Sequence, residues 1–259
     1  MKVFSIGFIR PLLLLCSLFA IAGITAHQII YSRAWHEPLD VVIYPINGDN
    51  SLETHNYLNT LDNDSFKEID QWFTKEAKRY KLGIEQPIKT SVGERVKSIP
   101  PPLPVNGGLF KTVFWGLRLR YWVFRNTPDS DSNLRRVRVF VAYYQGNDNQ
   151  PLAHSVGLQQ GLIGIVNAFG HEQQAKQNNI VVAHEILHTV GASDKYNFYG
   201  SPQFPVGFSN PYRNPLFPQR YAEIMAGRIP TSHFSSYMAT SLKSVRINNL
   251  TASEIAWID

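Results

Sequence analysis

The sequence predicts an α/β (α+β) domain, a twisted mixed sheet with one buried helix against it, preceded by an N-terminal apolar helix. Three stretches carry this expectation. Residues 136–144 (RVRVFVAYY) alternate in the period of a strand. Residues 179–196 (NIVVAHEILHTVGASDKY) set apolar side chains at the spacing of a buried helix. Residues 11–24 (PLLLLCSLFAIAGI) form an unbroken apolar run behind Lys2 and Arg10. The chain has 259 residues, and its 44% apolar content supports a sizeable core. Sixteen prolines and seventeen glycines imply many loops. The net charge of +5 is modest, and no stretch reads as a nucleic-acid surface.

Residues 1–30 read as a targeting segment. The fourteen-residue apolar run is short for a bilayer span, but counting on to Ile30 reaches about twenty residues. Ile24-Thr25-Ala26 only partly matches a signal-peptidase site. That favours an uncleaved signal-anchor over a cleaved signal peptide. Either one places residues 31–259 outside the cytosol, in a periplasm or an equivalent exported space, because the basic residues stay inside. Cys16 is the sole cysteine and follows Leu15, which argues against lipoprotein processing. No intramolecular disulfide can form.

Beyond this segment, residues 39–46 (LDVVIYPI) read as a buried strand ended by Asn47-Gly48-Asp49. Asp64 or Ser65 opens a helix with Phe66, Ile69, Phe73, Ala77 and Tyr80 on one stripe, and Gly83 stops it. Residues 84–92 read as an edge strand because of Pro87. Residues 99–108 (IPPPLPVNGG) form a stiff connector. Residues 109–125 mix Phe110, Phe114, Trp115, Tyr121, Trp122 and Phe124 with Arg118, Arg120 and Arg125. This composition suits a membrane interface, and equally a buried helix or strand whose arginine heads reach solvent; the buried reading is preferred. Residues 126–133 read as a polar loop. Residues 157–169 are a second strand region, flanked by His154 and His171, which as lone loop histidines read as structural or solvated. Residues 197–220 are a proline- and aromatic-rich loop expected to line substrate pockets. Residues 251–254 (TASE) look like a capping box opening a short helix.

Within the buried helix, His184, Glu185 and His188 spell H-E-x-x-H, extended by Gly191 and Asp194 to H-E-x-x-H-x-x-G-x-x-D. Asn179 stands where an N-cap belongs and Gly191 where a C′ glycine belongs. Four residues apart on a helix, the two imidazoles leave one face about a turn apart and can share a zinc ion. Glu185 projects from the neighbouring flank, where a general base for a water would stand. A third ligand is needed. Gly191 can turn the chain sharply enough to return Asp194 to the same point.

HEILHTVGASD resembles the zinc-binding signature of the metzincin metallopeptidases, in the Asp-third-ligand variant of snapalysin and immune-inhibitor-type bacterial peptidases. Residues 222–227 (AEIMAG) resemble that clan's methionine-containing turn, with Met225 as its methionine. The likeness covers roughly residues 136–259, and its specific parts are the signature helix and the turn. It implies a zincin-like catalytic domain over residues 31–259, with Zn2+ on His184, His188 and Asp194 and Glu185 as general base. It implies hydrolysis of peptide bonds in a peptide or protein substrate, which pairs with an edge strand just before the active-site helix. Tyr196, Tyr199 and Tyr221 are candidates for an oxyanion-stabilising hydroxyl. Glu223, within E-x-x-A, resembles the third ligand of gluzincins and stands as the alternative to Asp194. A non-catalytic, membrane-tethered binding or chaperone-like protein with a structural metal is the rival class.

Overall fold

The computed structural model describes residues 6–104, 108–127, 136–146 and 152–258. In chain order the elements are α1 (Ile6–Ser32), β1 (Leu39–Asn47), α2 (Leu52–Thr60), α3 (Lys67–Arg79), β2 (Ile88–Val92), α4 (Leu109–Asn126), β3 (Val137–Tyr144), β4 (Val156–Leu158), β5 (Ile163–Phe169) and α5 (Ala175–Thr189). Short pieces follow: β6 (Ala222–Glu223), β7 (Arg228–Pro230), β8 (Ser236–Met238), β9 (Val245–Arg246) and α6 (Asn249–Glu254). The main sheet runs β2-β1-β3-β5-β4. Its first four strands are parallel, and β4 alone runs antiparallel, against β5.

Successive side chains of a strand point to opposite faces, and here both faces are covered. Val41, Ile43, Val139 and Val141 face the side packed by Ile69 and Phe73 of α3 and by Val182 and Ile186 of α5. Val42, Tyr44, Phe140 and Ala142 face the other side, packed by Trp115, Leu119 and Val123 of α4. The alternation of residues 136–144 therefore marks a strand buried on both faces, with Arg138 near its start.

Several elements depart from the sequence expectation for identifiable reasons. Residues 157–169 split into the β4–β5 hairpin at Gly161 and Leu162, which take φ of +94° and +52°. The strand just before α5, β5, is consequently internal rather than the expected edge strand, and the edge is β4. Asn179 does not cap α5, which begins four residues earlier at Ala175; the Ala-, Lys- and Gln-containing stretch before it has good helix propensity. Asn179 instead donates to the Ser65 carbonyl. Helix α3 is entered through a single turn capped by Asp62, and it ends when Lys81 takes φ +57°, before Gly83 is reached. Helix α6 is capped by Asn248, which accepts from Thr251 N, so TASE lies inside the helix. Strand β2 lies at the opposite edge, as Pro87 implied. The polar loop from residue 128 on and residues 105–107 of the connector lie outside the described residues.

The N-terminal segment forms α1, yet among the described residues no helix is long and apolar enough to cross a membrane. The expected anchoring span finds no support there, since Thr25, His27 and Gln28 follow the apolar run directly. Residues 109–125 form a helix, but the core reading holds for one face only. Trp115, Leu119 and Val123 are buried, while Phe110 and Phe124 remain 89% and 80% exposed. Urea unfolding tests this orientation. Leu119→Ala is expected to cost roughly 2–5 kcal/mol, and Phe110→Ala to stay within about 0.5 kcal/mol of the parent.

Candidate metal centre

Helix α5 presses on the sheet through Val182, Ile186 and Leu187, and this fixes which face carries the histidines. At its end Gly191 takes φ +105°, and Gly191 N and Ala192 N donate to the carbonyls of His188 and Leu187. A Cβ at Gly191 would lie 3.0 Å from Gln159 Nε2 and 3.3 Å from the Glu254 carbonyl oxygen, so both backbone angle and space require glycine. The reversed chain returns Asp194 over the helix. Asp194 Oδ1 stands 3.2 Å from His184 Nε2 and 3.2 Å from His188 Nε2. Among the described residues, these three side chains form a group able to hold a metal ion, with their ligand atoms within 4.8 Å of one another.

Backbone carbonyls orient both rings. His184 Nδ1 lies 3.0 Å from the Ile224 oxygen and His188 Nδ1 lies 2.8 Å from the Ala192 oxygen. A ring nitrogen facing a carbonyl carries the proton, which leaves each Nε2 with a lone pair directed at Asp194. Three acceptors meeting at one point require a proton or a cation between them. Where a ring takes a second proton, its Nε2 donates to Asp194 instead; burial pushes the Asp194 carboxyl up, but these hydrogen bonds outweigh it and hold the group well below the usual range. Burial pulls His184 down, and the Asp194 hydrogen bond with the nearby Glu185 charge more than reverses this.

Glu185 is buried beside the cluster, and its Oε2 has no hydrogen-bond partner among the described residues. Burial raises its pKa against the pull of the two imidazoles. The edge strand passes very close. A Cβ on Gly157 would come within 2.4 Å of the Glu185 carbonyl oxygen, 2.5 Å of His188 Cβ and 3.2 Å of Glu185 Oε2. A cavity of about 390 Å³ opens from His184 and Glu185 between Phe169, Ile180, Tyr196 and Ile224. A groove of about 500 Å³ runs from His188 between α4 and β4.

Of the three tyrosines, Tyr196 is the one at the centre; burial and then the Asp194 charge push its hydroxyl up to about 12. Tyr199 is exposed, and Tyr221 lies under the Arg246 guanidinium away from the cluster. His154 lines the cavity mouth and His171 stacks near Phe169; neither joins the cluster. The loop of residues 197–220 does not wall this cavity as expected. It folds around buried Gln219, whose side-chain oxygen accepts from Asn210 N and Ser209 Oγ, and it lines a separate cavity with Arg79 and Arg246.

Glu223 is not brought to the cluster. Its Oε1 accepts from Thr251 Oγ1 and its Oε2 from Met225 N, so both oxygens serve the 222–227 turn. That turn carries Ile224, the partner of His184, and Met225 is buried and accepts from Lys195 N. Sequence reasoning missed Lys195. Only 1% exposed, its ammonium donates to Ser193 O and Glu254 Oε2 at 2.9 and 2.7 Å, and so clamps the residues on either side of Asp194. Nothing in the local pattern marks a lysine as buried.

Burial pushes the Glu223 carboxyl to about 7, against the Thr251 hydrogen bond and the Lys195 charge. A carboxyl whose folded value exceeds its ordinary 4.5 binds its proton more tightly when folded. Its contribution to stability is then complete below that ordinary value and is lost as pH rises through about 7. Glu223→Gln is expected to remove this component, so that the variant gains on the parent in urea midpoint between pH values near 5 and 8.

No family model matches the chain, and no curated protein matches it. A solved structure described as a chaperone-substrate complex aligns over 85% of this chain and 33% of its own, at 12% identity and a TM-score of 0.40. The chain thus spans about a third of that structure's length.

Proposed function

We propose that the chain is a zinc-dependent peptidase with a zincin-like domain, holding zinc on His184, His188 and Asp194. The observation that carries the reading is the meeting of two imidazole nitrogens and one carboxylate oxygen beside a buried carboxylate oxygen that has no hydrogen-bond partner among the described residues. Two histidines and one carboxylate are a catalytic zinc donor set, which leaves a coordination position for solvent or substrate. A zinc ion bound there supplies a Lewis acid for the scissile carbonyl and lowers the pKa of water toward ~7.

The chain's own groups supply the rest. Glu185 Oε2, desolvated and unpaired, takes the proton of the attacking water and passes it to the leaving amine. The Tyr196 hydroxyl, held protonated at neutral pH, donates to the developing oxyanion. Among the described residues strand β4 has no strand neighbour on its outer side, and its main chain there can pair with an extended peptide. The cavity beside His184 receives a substrate side chain. The carbonyls of Ile224 and Ala192 hold the imidazoles in the liganding tautomer. The basic-led N-terminal segment is read as an export signal that places the domain outside the cytosol.

Cleavage of a peptide library with and without chelator, paired with metal analysis, tests the proposal. Glu185→Gln is expected to retain zinc and lose roughly 100- to 10,000-fold in kcat/KM. Asp194→Ala is expected to lose zinc, and Glu223→Gln to keep it. Cleavage by Glu185→Gln at the parent rate would overturn the mechanism. Zinc bound with no cleavage by the parent would instead favour a binding protein with a structural metal.

A further inference from the structure

Helix α4 is apolar on two opposite faces. At about 100° per residue, Trp115, Leu119 and Val123 fall on one arc and are buried against the sheet. Phe110, Val113, Phe114, Leu117, Tyr121 and Phe124 fall on the opposite arc, and every one is more than half exposed. Soluble surfaces rarely leave so continuous an apolar stripe uncovered without an interaction to match. The boundary between the arcs is cationic. Lys111, Arg118 and Arg125 line one border, and Arg120, which donates to Gln160 at 3.0 Å, lines the other. No Asp or Glu occurs anywhere in the helix, and Lys111, Arg118 and Arg125 form no ion pair among the described residues.

We propose that the outer face of α4 lies in the surface of an anionic lipid bilayer. Aromatic rings sit at the depth of the headgroups, and cations on the flank of an apolar stripe reach lipid phosphates while their stems stay apolar. The charge is what selects this occupant: the border of the stripe carries one sign only, the complement of an acidic membrane. The same molecule also exposes Leu12, Leu15, Phe19 and Ile24 on α1. The inference does not depend on what the metal centre catalyses.

The full chain can attach to vesicles through α1 alone, so the readout must be local to α4. In a Cys16→Ser background, a fluorophore is placed at Phe114→Cys or, as a control on the opposite side of the sheet, at Lys75→Cys. Vesicles of phosphatidylcholine carry nitroxide lipid, with or without phosphatidylglycerol. Quenching is expected at position 114 and not at 75, and only when phosphatidylglycerol is present. Replacing Lys111, Arg118 and Arg125 together by Gln is expected to lower that quenching about tenfold or more, even where co-sedimentation through α1 persists. No quenching at 114, equal quenching at both positions, or quenching indifferent to lipid charge overturns the proposal. Lipid-independent cross-linking of Phe114→Cys between molecules also overturns it, by assigning the face to a second copy.

Discussion

Two imidazole nitrogens each stand 3.2 Å from one carboxylate oxygen, and bringing these three groups to a common point is the constraint the surrounding structure has to meet. Each component is restrained from behind. Carbonyls of Ile224 and Ala192 fix the rings, Gly191 supplies a reversal that would strain any residue with a side chain, and Lys195 ties the loop around Asp194 to Glu254. The 222–227 turn is braced in its own right by Glu223, which accepts from Met225 N and from Thr251 Oγ1. The three groups are thus preorganised by backbone hydrogen bonds and one half-buried ion pair.

Much of this was legible in the sequence where local rules decide. The i, i+4 histidines and the glycine that ends their helix depend only on helix geometry and on φ, so spacing puts His184 and His188 on one face and lets Asp194 turn back toward them. The strands 39–46 and 136–144 were equally legible, because apolar runs and alternation report burial directly. What spacing does not encode was missed. Glu223 and Asp194 both looked like ligands, and the choice between them rests on contacts made by Thr251, far along the chain. Lys195 gave no signal, since its burial depends on Glu254, again distant in sequence. Helix α2 buries only Thr54 and Leu58, too little to show as a stripe.

Residues 109–125 resisted reading for a different reason. A helix with one apolar face announces itself through a 3.6-residue period, but two opposed apolar faces cancel that period. The residues therefore suited a helix, a strand and a membrane surface at once. The fold resolves the secondary structure and shows which half of the apolar residues the sheet uses.

The clamp between Lys195 and Glu254 joins parts of the chain 59 residues apart. Asp194 precedes by a long stretch of chain the partner that steadies its neighbours, and Asn248 and Thr251 lie just ahead of that partner and brace the turn beneath His184. A segment that stopped short of residue 248 would accordingly carry all three converging side chains without the frame that holds them together. The frame of the centre is therefore a long-range feature of the fold, one that residues 175–195 do not carry by themselves.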